Sequence, residues 1–298
     1  MNKALHVFML AATLLPSSPF CVAQTPSKPA ETTPADEYVY ARPGGQELKL
    51  YVFQSAGGDS RKPRGAIVFF HGGGWSQGTA AWNFGNARYF AALWMAGISV
   101  DYRLADGNEV TPVESVADAK AAIGWVRSHA QALNIDPKRI AAYGESAGGL
   151  LVAAAAISSE GASKEEKESI PDAVLLYSPA LDVVKYEGFQ KMLKPGQDVS
   201  AILPDQHVRK GMPPTIIVTG ELDEMPAAAW LAEYCKKVKQ AHNRCELHIY
   251  PGVGHMLRMP GENENPGRTA SKTESDAYLK INLFLKSLGY LPPESKGN

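Results

Sequence analysis

The 298-residue sequence has no excess of charge of either sign. It contains 30 Lys and Arg residues against 31 Asp and Glu residues, which gives a formal net charge of -1. Proteins that bind nucleic acid or an anionic membrane surface usually concentrate basic residues in one stretch, and none is found here. The densest charge run, SKEEKES at 163–169, is expected to be a solvated loop. The charge pattern therefore argues against both partner classes.

Cysteine is also scarce, with three residues in the whole chain. None stands at a Cys–His spacing typical of a metal site, so no metal and no cofactor is predicted. Cys235 and Cys245 are ten residues apart, the first on a predicted helix and the second at the start of a predicted strand. A bridge between such elements is possible but geometrically demanding, so a disulfide and two half-buried thiols both stay open.

No hydrophobic run is long enough to span a bilayer. The longest, ALHVFMLAATLLP at 4–16, follows Lys3 and precedes small residues at Cys21 and Ala23. This order is typical of a secretory signal peptide, so we predict a signal at 1–23 with cleavage after Ala23. The mature protein is then secreted or periplasmic, with no stable membrane insertion.

The segments at the two ends of the chain are not expected to belong to the fold. A lipid anchor on Cys21 is disfavoured by Phe20, because lipoprotein signals place a small residue there. Residues 24–36 (QTPSKPAETTPAD) have the composition of a disordered leader, and residues 291–298 are expected to form a disordered tail.

Between these ends, short apolar runs alternate with longer helical patterns, which is typical of a mostly parallel α/β sheet covered by helices. An alternating run at 47–54 predicts an early antiparallel strand. The buried strands are predicted in the runs AIVFFHG (66–72), GISVDYRL (97–104), RIAAYG (139–144), AVLLYSP (173–179), TIIVTG (215–220) and ELHIYPG (246–252). Helices are predicted at 113–133, 148–158, 226–242 and 272–288. One domain at 37–290 accounts for all of them.

The sequence GESAGG at 144–149 lies between a predicted strand and a predicted helix. In this arrangement, a sharp turn holds a serine hydroxyl above the sheet, and the flanking Gly144 and Gly148 provide the space that side chains would occupy. Ser146 is therefore the candidate nucleophile. A serine hydroxyl is weakly nucleophilic at neutral pH, so a base is required.

His255 is the best-placed base, because it follows the predicted strand ELHIYPG in a loop at the edge of the sheet where Ser146 must lie. An acid is needed to orient the imidazole. Asp223 is preferred among the acids that follow the strand TIIVTG, which include Glu221 and Glu224, and Asp182 is the main competitor. The order Ser146, Asp223, His255 is the one expected for this type of fold.

The sequence HGGGW at 71–75 follows the strand AIVFF. Acyl transfer builds negative charge on a carbonyl oxygen, and N–H groups that already point at it stabilise the transition state. Three glycines leave the backbone accessible, while His71 and Trp75 are expected to hold the loop in place. The N–H of Ala147, at the start of the next helix, adds a further donor.

The motifs HGGGW, DYRL (101–104), GESAGG, GELD and GVGH, in this order, resemble α/β-hydrolase-fold esterases of the hormone-sensitive-lipase-like group and exported carbohydrate acetylesterases. The resemblance covers nearly all of residues 45–288 and implies an oxyanion hole formed by Gly73, Gly74 and Ala147. The family's usual DYRLAPE and GDSAGG read DYRLADG and GESAGG here. HGGGW also fits a pattern of arylformamidases, so amide hydrolysis is an alternative, as is a non-catalytic binding protein of the same fold.

The expected substrate is a small-molecule or glycan ester. The segment 180–212 is the only candidate cap over the site, and its shortness predicts an open cleft and short acyl groups. Trp82 and Phe84 either form a sugar-stacking platform or pack a local helix. The sequence makes no prediction of the oligomeric state.

Overall fold

The computed structural model describes residues 36–55, 62–106, 109–157, 161–225, 227–262 and 271–291. The predicted signal peptide lies outside these ranges. The predicted leader and tail do so too, apart from Asp36 and Leu291 at their inner ends. Their state therefore remains a prediction.

An eight-stranded sheet forms the centre of the described chain, in the order β1-β2-β4-β3-β5-β6-β7-β8. The strands are β1 (Asp36–Ala41), β2 (Leu48–Phe53), β3 (Arg64–Phe70), β4 (Ala96–Val100), β5 (Ile135–Glu145), β6 (Ala173–Tyr177), β7 (Thr215–Gly220) and β8 (Cys245–Tyr250). β2 pairs antiparallel with β1 and with β4, and all other neighbours are parallel. This confirms the predicted mostly parallel α/β sheet.

Helices cover both faces of the sheet. They are α1 (Phe84–Ala92), α2 (Pro112–Ser128), α3 (Ala147–Ala155), α4 (Lys164–Glu168), α5 (Glu187–Gln190), α6 (Ala228–Gln240) and α7 (Lys272–Ser287). Along β3, Val68 and Phe70 pack into the core under α2, α3 and α6, whereas Ile67 and Phe69 pack into the core under α1 and α7. Because both faces are buried, the central strands are continuously apolar, as the sequence indicated.

Two helices begin with the reciprocal hydrogen bonds of a capping box. At α7, the Ser271 hydroxyl accepts the N–H of Glu274 at 3.2 Å, and the Glu274 carboxylate accepts the N–H of Ser271 at 2.7 Å. Thr111 and Glu114 make the same arrangement at α2. These bonds satisfy N–H groups that have no partner within the helix.

Several predicted boundaries and one predicted loop need correction. The charged run at 163–169 forms the short exposed helix α4 instead of a loop, because the Ser163 hydroxyl caps its first turn. The helix predicted at 113–133 ends at Ser128, and a turn follows in which Asn134 has a φ of 52°. The helices predicted at 148–158 and 226–242 are shorter, ending at Ala155 and Gln240.

The two cysteines left open by the sequence form a disulfide. Cys235 on α6 is bonded to Cys245, the first residue of β8, with 5.6 Å between their Cα atoms. The bridge therefore joins a helix to the edge strand that leads to the loop of His255.

The segment 180–212 joins β6 to β7 through short helical turns, including α5. Phe189 of α5 is fully buried and packs edge-on against Trp75, with 5.1 Å between ring centroids. The segment thus forms the small cap predicted from its length. No helix in the described ranges has the length and apolarity needed to cross a membrane.

Candidate active site

Ser146 lies at the turn between β5 and α3, with a φ of 50° and a ψ of -118°. A Cβ added to Gly144 would lie 2.2 Å from the carbonyl oxygen of Gly148. A Cβ added to Gly148 would lie 2.1 Å from the carbonyl oxygen of Phe70. Real Cβ atoms do not approach backbone this closely, so both glycines are required by the turn, as the sequence predicted.

The structure brings Ser146, His255 and Asp223 into one hydrogen-bonded chain, although they come from three distant segments. Nε2 of His255 lies 2.9 Å from Oγ of Ser146. Nδ1 of His255 lies 3.0 Å from Oδ2 and 3.1 Å from Oδ1 of Asp223. This is the geometry in which a carboxylate orients an imidazole that can take the proton of a serine hydroxyl.

Asp223 is buried, and its carboxylate is held by several donors besides His255. Oδ1 accepts the N–H of Met225 at 3.0 Å, and Oδ2 accepts the hydroxyl of Thr219 at 3.3 Å. Burial acts to raise the pKa of this carboxyl, but the hydrogen bonds and the charge of His255 outweigh it, so the pKa lies below its usual range. Asp223 is thus ionised at neutral pH.

The other acids considered from the sequence lie outside this chain. Asp182 pairs with Lys185 at 3.4 Å, and the Glu221 carboxylate accepts the N–H of Gly252 at 3.1 Å. Glu224 is exposed on the loop after β7. The structure therefore brings Asp223, and none of its three competitors, to His255.

The loop of His255 is positioned by two features of its surroundings. The N–H of the following residue, Met256, donates to the Ser178 hydroxyl at 3.0 Å, and Ser178 also favours the ionised form of Asp223. A Cβ on Gly220, at the end of β7, would lie 2.2 Å from the carbonyl oxygen of Val253. Ser178 was not identified from the sequence. Its φ is 40°, and a serine at this position gives no indication of such a backbone conformation.

The glycine loop that follows β3 lies against the serine. A Cβ on Gly72 would lie 3.2 Å from Cβ of Ser146. Gly73 and Gly74 have φ values of 102° and 59°, a region that favours glycine. The carbonyl oxygen of Gly73 accepts the N–H groups of Ser76 and Gln77, which fixes the turn.

His71 and Trp75 hold this loop at its two ends, as predicted. His71 is buried, stacks on Tyr102 with 4.3 Å between ring centroids, and its carbonyl oxygen accepts the Tyr102 hydroxyl at 2.8 Å. Burial lowers the pKa of His71, so its ring is neutral at neutral pH. Trp75 is buried against Phe189 of the cap.

The N–H of Ala147 is the remaining candidate donor to an oxyanion. Ala147 is the first residue of α3, and the first N–H groups of a helix have no partner within the helix. The positive end of the helix dipole reinforces these donors. Gly72, which precedes Gly73 in the loop, lies against Ser146, and Ala147 follows Ser146 directly, so both segments are candidates to supply oxyanion donors.

Glu145 is a polar residue for which sequence reasoning gave no role. The backbone of Gly72 and the hydroxyl of Tyr143 favour the ionised form of its carboxyl group. Burial raises the pKa of Glu145 to about 7, with these two groups and the charges of Arg258 and His255 acting in the opposite direction. The sequence feature that distinguishes this position is the Glu of GESAGG, where the family usually has Asp.

A cavity of about 210 Å³ opens beside the catalytic candidates. Its lining includes Trp75, which follows the glycine loop, and Met225, which follows Asp223 closely. Ala180, also in the lining, donates its N–H to the carbonyl oxygen of Ser146 at 2.9 Å. The cavity is therefore placed to hold one part of an ester whose carbonyl lies at Ser146.

The two aromatic residues considered for sugar stacking have different environments. Phe84 begins α1 and packs against Tyr51 and Phe53, with ring centroids 5.1 and 5.0 Å away. Trp82 is 54% exposed and lies 5.8 Å from the His71 ring. Phe84 therefore packs a local helix, while the face of Trp82 is available.

The described residues include no group of three or more His, Cys, Asp or Glu side chains placed to hold a metal ion. The arrangement at Ser146 contains a nucleophile, a base, an orienting acid and candidate oxyanion donors. Chemically, this set can carry out acyl transfer without a bound cofactor.

Comparison with known proteins gives consistent matches. A family model described as the alpha/beta hydrolase fold matches residues 67–210. The carboxylesterase NlhH of Mycobacterium tuberculosis is 30% identical over 232 residues, which cover 68% of this chain and 70% of that protein. An acetylxylan esterase of Xylanibacter ruminicola is 27% identical over 209 residues, covering 64% of this chain and 40% of that protein.

A similar structure is that of esterase 2 from Thermogutta terrifontis phosphonylated by cyclosarin. It has a TM-score of 0.76 and 34% identity, covering 87% of this chain and 96% of that chain. The same esterase with butyrate bound has a TM-score of 0.75 and 32% identity, covering 88% of this chain and 96% of that chain.

Proposed function

The chain belongs to the α/β-hydrolase family and is a carboxylesterase, and on that premise we propose that Ser146, His255 and Asp223 are its catalytic triad. The observation that carries this assignment is the 2.9 Å contact between Nε2 of His255 and Oγ of Ser146, with Asp223 hydrogen-bonded to the other ring nitrogen. Gly73, Gly74 and Ala147 supply the oxyanion donors in this proposal.

The reaction proceeds through an acyl-enzyme. Oγ of Ser146 attacks the ester carbonyl as its proton moves to Nε2 of His255, and Asp223 stabilises the resulting imidazolium. The negative oxygen of the tetrahedral intermediate accepts the backbone N–H groups. The C–O bond of the ester then breaks, and the alcohol leaves with the proton from His255. A water molecule then attacks the carbonyl of the acyl-enzyme in the same way, with His255 taking its proton. The acid is released, and the hydroxyl of Ser146 recovers its proton.

We propose that the acyl group is short. A cavity of about 210 Å³ and a cap of a few turns offer little apolar surface for a long chain. The similar esterase of Thermogutta terrifontis has been solved with propionate and with butyrate bound, which supports the same preference. Acetate to butyrate esters are therefore the expected substrates.

Acetylated carbohydrates are the proposed natural substrates within this class. The support is the similarity to an acetylxylan esterase and the exposed indole face of Trp82 near the glycine loop. We further propose that the protein is secreted or periplasmic. The bridge between Cys235 and Cys245 supports this, since disulfides persist in oxidising compartments.

A panel of p-nitrophenyl esters from acetate to octanoate, given to the purified chain and to Ser146→Ala, tests the proposal. Acetate or butyrate should give the highest kcat/KM, and Ser146→Ala should lose at least about 10³-fold while keeping its fold. Ser275→Ala, an exposed serine on α7, is the matched control and should retain activity.

Undiminished hydrolysis by Ser146→Ala would overturn the triad assignment. Faster hydrolysis of octanoate than of acetate would overturn the short-acyl assignment alone.

A further inference from the structure

The cavity of about 210 Å³ is bounded by residues that contact the proposed triad. Ala180, in its wall, donates its N–H to the carbonyl oxygen of Ser146 at 2.9 Å. Met225, on another part of the wall, donates its N–H to Oδ1 of Asp223 at 3.0 Å. A ligand in this cavity therefore lies beside both the nucleophile and the acid of the triad.

Three charged residues line the cavity, and their charges do not balance. Asp182 and Lys185 form an ion pair, with 3.4 Å between Oδ2 and Nζ. The side chain of Glu224 is exposed and has no ion pair or hydrogen bond among the residues that the structure describes. One negative charge of the lining is thus uncompensated, and it belongs to the residue between Asp223 and Met225.

This lining suits the alcohol part of an ester better than the acyl part. The acyl group proposed above, from acetyl to butyryl, carries no polar group that could interact with these charges. A carbohydrate alcohol presents hydroxyl groups, which donate hydrogen bonds to a carboxylate. Trp75 and Tyr186 also line the cavity, and the faces of aromatic rings favour a cationic neighbour over an anionic one.

The effect of Glu224 on a charged ligand is expected to be moderate, because its side chain is in contact with water. Two unit charges about 4 Å apart in water interact by an energy that corresponds to about 5-fold in binding. Salt screens such an interaction, since the Debye length falls from about 30 Å at about 10 mM to about 3 Å at about 1 M. Selection by this residue is therefore expected to depend on ionic strength.

We propose that Glu224 is a specificity-determining residue that makes this cavity a subsite for the alcohol part of the ester, where cationic and neutral hydroxylated alcohols bind and anionic alcohols are rejected. The proposal rests on the proposed triad, which places the ester carbonyl at Ser146. Among acetylated carbohydrates, the subsite favours neutral and amino sugars over uronic acids. Lys185 acts in the opposite sense, because its removal leaves Asp182 uncompensated.

Three acetate esters with alcohols of similar size test the proposal. They are acetylcholine, which is cationic, the neutral 3,3-dimethylbutyl acetate, and the anionic 2-acetoxyethanesulfonate. Release of acetate gives kcat/KM for each ester with the full chain and its variants, at about 10 mM salt. Each variant is compared with wild type on the same ester, so differences in the intrinsic reactivity of the esters cancel.

The measured quantity is the ratio of kcat/KM for the cationic ester to kcat/KM for the anionic ester. Glu224→Gln should lower this ratio at least about 5-fold, and Lys185→Gln should raise it. A loss of packing or of loop order would change all three esters alike, so opposite shifts in the two variants separate charge from structure. Glu165→Gln removes an exposed carboxylate from α4, which precedes β6 at the opposite edge of the sheet, and should leave the ratio unchanged.

Raising the salt to about 0.5 M should reduce both shifts, because exposed charges are then screened. An unchanged ratio in Glu224→Gln, a lowered ratio in Lys185→Gln, or a wild-type chain that hydrolyses none of the three esters would overturn the proposal. In each case, hydrolysis of p-nitrophenyl acetate that Ser146→Ala abolishes leaves the triad intact. Hydrolysis of that ester that persists in Ser146→Ala overturns the triad itself.

Discussion

At the scale of single residues, the backbone of Ser146 is held in a conformation that L-amino acids rarely adopt. Its N–H donates to the carbonyl oxygen of Tyr177 at 3.1 Å, and its carbonyl oxygen accepts the N–H of Ala180 at 2.9 Å. Such a conformation costs on the order of 1–3 kcal/mol and persists because its surroundings determine it. This conformation places Oγ of Ser146 at 2.9 Å from Nε2 of His255.

The assignment of Asp223, and not Asp182, as the acid that orients His255 predicts different kcat values for variants of the two residues. Asp223→Asn should lower kcat by about 10³ to 10⁴-fold, because the amide no longer selects the His255 tautomer or stabilises its imidazolium. Asp182→Asn, which lacks contact with His255, should stay within about 5-fold of wild type. Steady-state kinetics on p-nitrophenyl acetate measure both, and a larger loss in the Asp182 variant would reverse the assignment.

Glu145 also gives a prediction about stability. Its pKa is raised from 4.5 in the unfolded chain to about 7 in the fold. Between pH 4.5 and about pH 7, the folded state keeps a proton that the unfolded state has released. The free energy of unfolding therefore decreases as the pH rises through this range.

Glu145→Gln does not titrate there. Its free energy of unfolding relative to wild type should therefore increase by about 2–3 kcal/mol between pH 5 and pH 8. Urea unfolding at the two pH values measures the change, and an equal difference at both would contradict the raised pKa.

At the scale of elements, the strands buried on both faces were the most predictable part of the fold. Runs such as AIVFF and TIIVTG became β3 and β7 because burial on two sides demands continuous apolar residues. β1 was missed, since Tyr38 and Val39 are half-buried at the sheet edge and adjoin a polar leader. α1 was predicted only as a local helix near Phe84, because its sequence FGNARYFAA mixes glycine, aromatics and polar residues.

The site was predictable for a related reason. The turn at Ser146 and the loop at 71–75 require glycine at fixed positions, so the glycines in the sequence indicate their geometry. Ser178 and Glu145 could not be assigned from type alone, because their environments depend on segments far away in the chain. The disulfide was open for the same reason, as it depends on how α6 lies on β8.

The glycines of the turn give a prediction at this scale. Gly148→Ala would place Cβ 2.1 Å from the carbonyl oxygen of Phe70, so β3 or α3 would have to move. We expect a loss of at least about 3 kcal/mol in unfolding free energy, or no folded protein. Gly85→Ala in α1 is the matched control: its Cβ would meet nothing within 4 Å, and its stability should equal or exceed that of wild type. Equal stability of the two variants, measured by urea unfolding, would contradict the close packing at the turn.

At the scale of the whole molecule, the carboxyl edge of the sheet assembles groups from four connections. The loops after β3, β5, β7 and β8 supply the glycine loop, Ser146, Asp223 and His255. The segment 180–212, after β6, covers them as a cap. Ligand sites of parallel α/β sheets form at this edge because the loops that follow the carboxyl ends of the parallel strands all lie there.

Export is a prediction for the whole chain. If the signal at 1–23 is removed, the mature protein should begin at Gln24, and Cys235 and Cys245 should be its only cysteines and be bridged. Intact-mass measurement of the protein expressed in a secreting host, with and without reduction, measures both features. A chain that retains residues 1–23, or that is acylated at Cys21, would contradict the predicted cleavage.

The central claim is that Ser146 is the nucleophile activated by His255, and covalent labelling tests it most directly. Because a similar esterase has been solved phosphorylated by paraoxon, this reagent is a suitable probe. Peptide mass spectrometry after paraoxon treatment should find one diethylphosphoryl group on Ser146 in wild type, and almost none at matched times in His255→Ala. Labelling of a different residue, or labelling of Ser146 at the same rate without His255, would contradict the account.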